Sequence, residues 1–130
     1  MRTQAELEDL LDQRSREWRK FVSITNVGES AITLKMPFRD DFTRQGGTIS
    51  GPALMALADR AAYYLILVRG GALESVTSNL DIHFLARPQG DIDATATMLR
   101  HGRRLAVTRV EMFVGSELVA HSTVTYALPR

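Results

Sequence analysis

Residues 51–68 read Gly51-Pro52-Ala53-Leu54-Met55-Ala56-Leu57-Ala58-Asp59-Arg60-Ala61-Ala62-Tyr63-Tyr64-Leu65-Ile66-Leu67-Val68, and this stretch decides the fold. Ser50, Gly51 and Pro52 open a helix: serine supplies an oxygen for the free N–H groups of the first turn, and proline has no N–H to lose there. Gly70 and Gly71 close it. The helix is apolar on nearly all faces, so most of its surface must be covered by something else. Asp59 and Arg60 interrupt it near the middle, which makes it a poor candidate for a membrane span.

Outward from this helix the chain divides by period. Upstream, Thr3 to about Phe21 predicts a helix: Thr3 and Glu6 fit a capping box, and Leu7, Leu10, Leu11, Trp18 and Phe21 form an apolar stripe. Ala31 to Phe38 alternates, with Ile32, Leu34, Met36 and Phe38 on one face, and predicts a half-buried strand. Residues 39–49 read as a polar loop. Downstream only strands are expected. In Ser75–Leu85, alternation puts Val76, Ser78, Leu80, Ile82 and Phe84 on the face toward the helix and Thr77 and Asn79 on the other. Ile92, Ala94, Ala96 and Met98 alternate with polar residues; Leu105–Val114 and Leu118–Leu128 follow, separated by turns at His101-Gly102-Arg103 and Gly115-Ser116. Short turns between strands predict an antiparallel meander. A helix that needs wrapping and a sheet that can wrap it give an α+β class: a long central helix enclosed by a curved antiparallel sheet, the hotdog arrangement, with an extra N-terminal helix.

Composition bounds the function. The 130 residues make one domain, 1–130, with the 1–22 helix packed on it. Hydrophobic residues are 45% and charged residues 24%, which excludes intrinsic disorder. A formal net charge of +1 gives no basic field, so no nucleic-acid partner is expected. The absence of cysteine excludes disulfides, thiolate metal sites and thiol nucleophiles. Residues 1–20 carry acids and no apolar signal core, and a soluble, cytoplasmic protein without membrane attachment is expected.

Three residues could carry chemistry. Asp59 puts a carboxylate into a helix built for burial, which costs free energy unless a partner or a function explains it. An ion pair with an arginine from elsewhere is the competing explanation. Gly51 offers a backbone N–H at the positive end of the helix, a donor able to stabilise an oxyanion, although any good helix start looks the same. Ser78 breaks an otherwise apolar face and points to the helix, either as a reacting-site hydroxyl or as a core hydroxyl bonded to backbone. His83, His101 and His121 lack metal-ligand spacing, and no metal is expected. Arg100, Arg103 and Arg104 cluster at one turn, which reads as a solvated turn or a phosphate contact.

Gly47-Thr48-Ile49-Ser50-Gly51-Pro52, followed by Leu57-Ala58-Asp59, resembles the motif of the PaaI-type hotdog thioesterases, G-T-[IL]-H-G-G and a helix carrying L-A-D. Ser78-Asn79-Leu80-Asp81-Ile82-His83-Phe84-Leu85-Ala86-Arg87-Pro88 and Arg100-His101-Gly102-Arg103-Arg104-Leu105-Ala106-Val107 match in pattern, so the likeness covers roughly residues 30 to 128. The resemblance implies hydrolysis of acyl-CoA thioesters, with Asp59 as the catalytic carboxylate, the Gly51 amide polarising the carbonyl, and Ser78 assisting the attacking water. Thr48, Ser50 and Arg44 are the substrate-binding candidates, and with CoA as leaving group a basic residue such as Arg103 is expected near its phosphates. CoA enters as part of the substrate; no other cofactor is implied. The chain departs from the motif at three places: Ser50 stands for the usual histidine, Pro52 for the second glycine, and Arg44 where some members carry asparagine.

Geometry adds a requirement. Gly51 and Asp59 lie eight residues apart on one helix, about 12 Å along its axis, and cannot both touch one carbonyl. If both act, each site takes Gly51 from one subunit and Asp59 from another. A homodimer or a dimer of dimers is therefore expected, in keeping with the outward-facing Leu85, Leu105, Val107 and Phe113. Asp59 as base and Asp59 as nucleophile remain equivalent at this level, and the alternative activity is a non-catalytic acyl-CoA or acyl-carrier binder on the same fold.

Overall fold

The computed structural model describes residues 1–14, 16–44 and 46–129. Helix α1 spans Gln4–Arg14 and is followed by the short helix α2, Arg16–Arg19. The strands are β1 Ser23–Val27, β2 Ala31–Met36, β3 Thr43–Arg44 and β4 Thr48–Ile49 ahead of the long helix α3, Gly51–Val68. After it come β5 Val76–Phe84, β6 Ile92–His101, β7 Leu105–Val114 and β8 Glu117–Ala127. Six strands form one antiparallel sheet in the order β1-β2-β6-β7-β8-β5, and β3 pairs with β4 in a separate small hairpin. Helix α3 contacts five of the six large-sheet strands, so the sheet wraps it as the hotdog arrangement requires.

Helix α3 has the limits its sequence predicts. The Ser50 hydroxyl accepts from the Ala53 N–H at 3.3 Å, and Pro52 sits in the first turn. At the other end Gly70 takes a φ of +88°, which a side chain would strain. The Gly70 N–H then bonds Leu67 O and the Gly71 N–H bonds Ile66 O, the paired closure of a Schellman cap. Arg2 completes this end: its backbone N–H and its guanidinium donate to Val68 O and Leu67 O at 2.7 and 2.6 Å. Cations at the last carbonyls of a helix stabilise it. Leu54, Leu57, Ala58, Ala61, Ala62 and the run Tyr64–Val68 are buried, together with Ile32, Leu34, Ala94, Ala96, Val110, Met112 and Val124 of the sheet. Among the described residues α3 is the one helix long and apolar enough to cross a membrane; here it is the core of the sheet.

The N-terminal capping box forms as read, with Thr3 and Glu6 bonding each other's backbone N–H at 3.0 and 3.1 Å. The single helix expected from Thr3 to about Phe21 is instead two, α1 and α2; Ser15, between them, lies outside the described residues. Leu7 and Leu11 are fully buried, and the stripe packs against α3 and β1.

Three further expectations change. Strand β1 was not foreseen: only Ile24 of its five residues is buried, so it carries almost no alternation to read. The 39–49 loop contains a 3₁₀ turn, Asp40–Phe42, and the β3–β4 hairpin. The four-strand meander holds only for β6-β7-β8. The segment between β5 and β6 contains Pro88 and is too long for a tight hairpin, and β5 pairs with β8 at the far edge of the sheet.

Candidate active site

The start of α3 is braced from two sides. Ser50 N–H donates to Phe42 O at 2.8 Å, and Ile49 N–H donates to Pro88 O at 2.9 Å. Within the first turn Ala53 N–H is held by the Ser50 hydroxyl and Leu54 N–H by Ser50 O, while Pro52 has no N–H. Gly51 is left as the first-turn donor without an intrahelical acceptor. It borders an open cavity of about 560 Å³ lined by Arg44, Thr48, Pro52, Phe84, Leu85 and Arg87, among others. The Phe84 ring lies over Gly51 so closely that a Cβ there would meet it at 3.2 Å. Ser50 is the N-cap, and Thr48 is a buried residue of β4. Arg44 borders this cavity, but Arg103 sits exposed on the β6–β7 turn and lines neither of the cavities described here. Arg87, which sequence reasoning passed over, is the second cation at the Gly51 cavity.

Asp59 lies two turns along α3, at a second cavity of about 430 Å³ bordered by Arg14, Arg60, Tyr63, Glu74, Thr77 and Tyr126, among others. It is half-buried, not enclosed as its position mid-helix suggested, because α3 meets the open edge of the sheet here. Two hydroxyls converge on one carboxylate oxygen: Thr77 Oγ1 donates to Asp59 Oδ1 at 2.6 Å and Tyr126 Oη at 2.8 Å. Among the described residues no lysine or arginine of the same chain makes an ion pair with it. The Tyr126 ring is buried and stacked on Tyr63 at 5.7 Å between centroids. Burial, and after it the neighbouring Asp59 charge, push the Tyr126 hydroxyl well above the usual phenol range, so it remains a donor.

Ser78 does not join this site. Thr77 pairs with Tyr126 and Asn79 with Thr125, so Ser78 is the extra residue of a β-bulge. The bulge breaks the alternation: Thr77, expected on the far face, reaches Asp59 of α3 with its hydroxyl, and both Thr77 and Ser78 are exposed. Thr77 and Tyr126 are the functional candidates that sequence reasoning missed. The buried Tyr126 on β8 was visible as one parity of that strand, but its partner on α3 was not.

The sequence profile of the thioesterase superfamily matches residues 46–121, which include Gly51, Asp59 and Thr77. The chain belongs to the thioesterase superfamily. Its fold is that of a crystal structure from Silicibacter sp. TM1040 named a "putative thioesterase", with 32% identity, a TM-score of 0.87, and 97% and 91% of the two chains covered. A protein of Thermoplasma acidophilum named a "putative esterase" is 27% identical over 82% of this chain and 83% of its own length. The PaaI protein of the E. coli phenylacetic acid degradation operon, at 19% identity, shares the fold alone, with a TM-score of 0.87 over 97% and 93% of the chains.

Proposed function

We propose that this superfamily member hydrolyses acyl-CoA thioesters to a free acid and CoA. The observation that carries the reading is Asp59: a half-buried carboxylate with no basic partner among the described residues, held by two hydroxyls at a cavity edge, on the helix whose first turn presents a free N–H. The Gly51 N–H would polarise the thioester carbonyl and stabilise the oxyanion as it forms. Asp59 would either take a proton from water, which then adds to the carbonyl, or add to the carbonyl itself to give a mixed anhydride that water opens. In the first route the C–S bond breaks as the adduct collapses and the thiolate takes the proton Asp59 accepted from water; in the second the C–S bond breaks as the anhydride forms, the thiolate takes a proton from solvent, and water then opens the anhydride to the acid and free Asp59. Thr77 would take the part that the resemblance implied for Ser78.

The site would be completed by a second copy. Gly51 and Asp59 border different cavities of one chain, about 12 Å apart along α3. Strand β5 is one of the two outer strands of the sheet, and its Val76 and Phe84 are 59% and 52% exposed. Its Thr77 end adjoins Asp59 and its Phe84 end adjoins Gly51. Antiparallel pairing of two such edges sets the first end of one against the second end of the other, so Asp59 of one copy meets Gly51 of its partner. Arg44 and Arg87 at the Gly51 cavity would take the phosphates of CoA. The test is free-thiol release over short, medium, long and aromatic acyl-CoAs. Steady turnover of at least one is expected; binding without turnover across the panel would favour a non-catalytic acyl-CoA or acyl-carrier binder.

A further inference from the structure

We infer that Tyr126 is a positioning residue that, together with Thr77, ties up Oδ1 of Asp59 and presents Oδ2 alone to the reacting atoms. The inference rests on the reading of Asp59 as the reacting carboxylate and adds which of its oxygens reacts and what selects it.

A carboxylate has two equivalent oxygens and about four acceptor sites. Left to itself it turns about its last bond and offers either oxygen. Here the symmetry is broken. Thr77 Oγ1 at 2.6 Å and Tyr126 Oη at 2.8 Å both lie on Oδ1. The Thr77 contact is of the short kind hydroxyls make to charged acceptors, and the Tyr126 contact is of ordinary hydroxyl length. The two donors come from different strands but are cross-strand partners, Thr77 on β5 directly opposite Tyr126 on β8. They therefore approach Asp59 as a pair with fixed separation. Tyr126 is the fixed member: it is 4% exposed and lies against the Tyr63 ring, whose own hydroxyl donates to Leu73 O at 2.8 Å, while Thr77 is exposed. The Tyr126 hydroxyl also lies 3.3 Å from the Asp59 carbonyl oxygen, so it spans the side chain and backbone of the same residue. Turning the carboxylate by half a revolution would exchange the oxygens but would leave the same two donors on whichever one occupied this place. The other oxygen always faces away from the clamp, and it is the one left to meet water or the carbonyl carbon.

Tyr126→Phe tests this, because it removes one hydroxyl and keeps the ring and its stack. With the acyl-CoA turned over best, kcat should fall about tenfold or more while KM stays within about twofold, since a misaligned group costs rate and not binding. The thermal melt should stay close to wild type. A melt lowered by several degrees with kcat preserved would make Tyr126 a structural residue and overturn the inference. A second measurement is independent of activity. Infrared difference spectra between the wild type and Asp59→Asn isolate the carboxylate stretches of Asp59. Two donors on one oxygen make its C–O bonds unequal and widen the splitting between the symmetric and antisymmetric bands. Tyr126→Phe should narrow that splitting; an unchanged splitting overturns the clamp. If the wild type turns over no acyl-CoA, or Asp59→Asn retains full turnover, the hydrolase reading fails while the infrared result still decides the clamp.

Discussion

Thr77 Oγ1 stands 2.6 Å from Asp59 Oδ1, and it does so because the next residue, Ser78, bulges out of strand β5. One extra residue reverses which face the side chains before it occupy. The bulge thus separates two neighbouring hydroxyls into one that touches the carboxylate and one that does not. Thr77→Val should lower turnover by about 10-fold to 10²-fold through loss of alignment, with Ser78→Ala close to wild type. Steady-state thiol release on the two variants checks this, and the reverse ranking would restore Ser78 to the site.

Asp59→Asn should remove turnover by at least about 10²-fold, the low end for loss of a general base. Its thermal stability should stay near wild type. The amide oxygen can accept from Thr77 and Tyr126 as the carboxylate does, and no basic partner among the described residues is left alone. A structural ion pair would instead leave a charge uncompensated and cost several kcal/mol, about 3–5 when buried. Thiol release and a thermal melt on the same preparations separate the two.

Ser50 stands where the related motif has histidine, and its hydroxyl is engaged with Ala53 N–H. Ser50→Ala should cost about 1 kcal/mol of stability and leave hydrolysis largely intact. Denaturant unfolding and kcat measure the two effects. A large loss of turnover without loss of stability would show that the serine has also taken over the orienting task of the histidine.

His101, at the end of β6, accepts at Nδ1 from Arg69 Nε at 2.8 Å, a bond that only the uncharged ring nitrogen can make. Burial, and then the Arg69 charge, hold its pKa below the ordinary histidine range. The unfolded chain therefore binds more protons at this residue as the pH falls. Its contribution to stability is full above the unfolded value of about 6.5 and is lost as the pH drops below it. Melting temperatures between about pH 8 and pH 5 should decline on the acid side, and His101→Gln should reduce that slope. An identical slope in the variant would remove His101 as a contributor.

The central helix was legible to the residue because everything that defines it is local: Ser50 and Pro52 at one end, Gly70 and Gly71 at the other, and an apolar composition that demands wrapping. Asp59 and Gly51 stood out for the same reason, as residues at odds with their own segment. What escaped the sequence is non-local. Strand β1 buries one residue and pairs along one edge, so it carries little alternation. The placement of β5 beside β8 depends on a connection that any order of strands could have used. The bulge at Ser78 has no composition of its own, yet it decides whether Thr77 or Ser78 meets the carboxylate. Arg103 lies on the β6–β7 turn, away from both cavities, while the cations bordering the Gly51 cavity, Arg44 and Arg87, come from a hairpin and a loop that only the folded chain brings together.

The central claim is a hydrolytic site shared between two copies, Gly51 from one and Asp59 from the other. Gly51→Val would fill the space over the amide, and Asp59→Asn would remove the carboxylate, so each variant alone should be inactive. A heterodimer of the two, isolated through different tags, would contain one site with both defects and one with neither. In a twofold-symmetric pair it should recover about half of the wild-type rate of thiol release per dimer. A heterodimer as inactive as its parents would contradict the account, because it would mean that Gly51 and Asp59 must come from the same chain or do not act together.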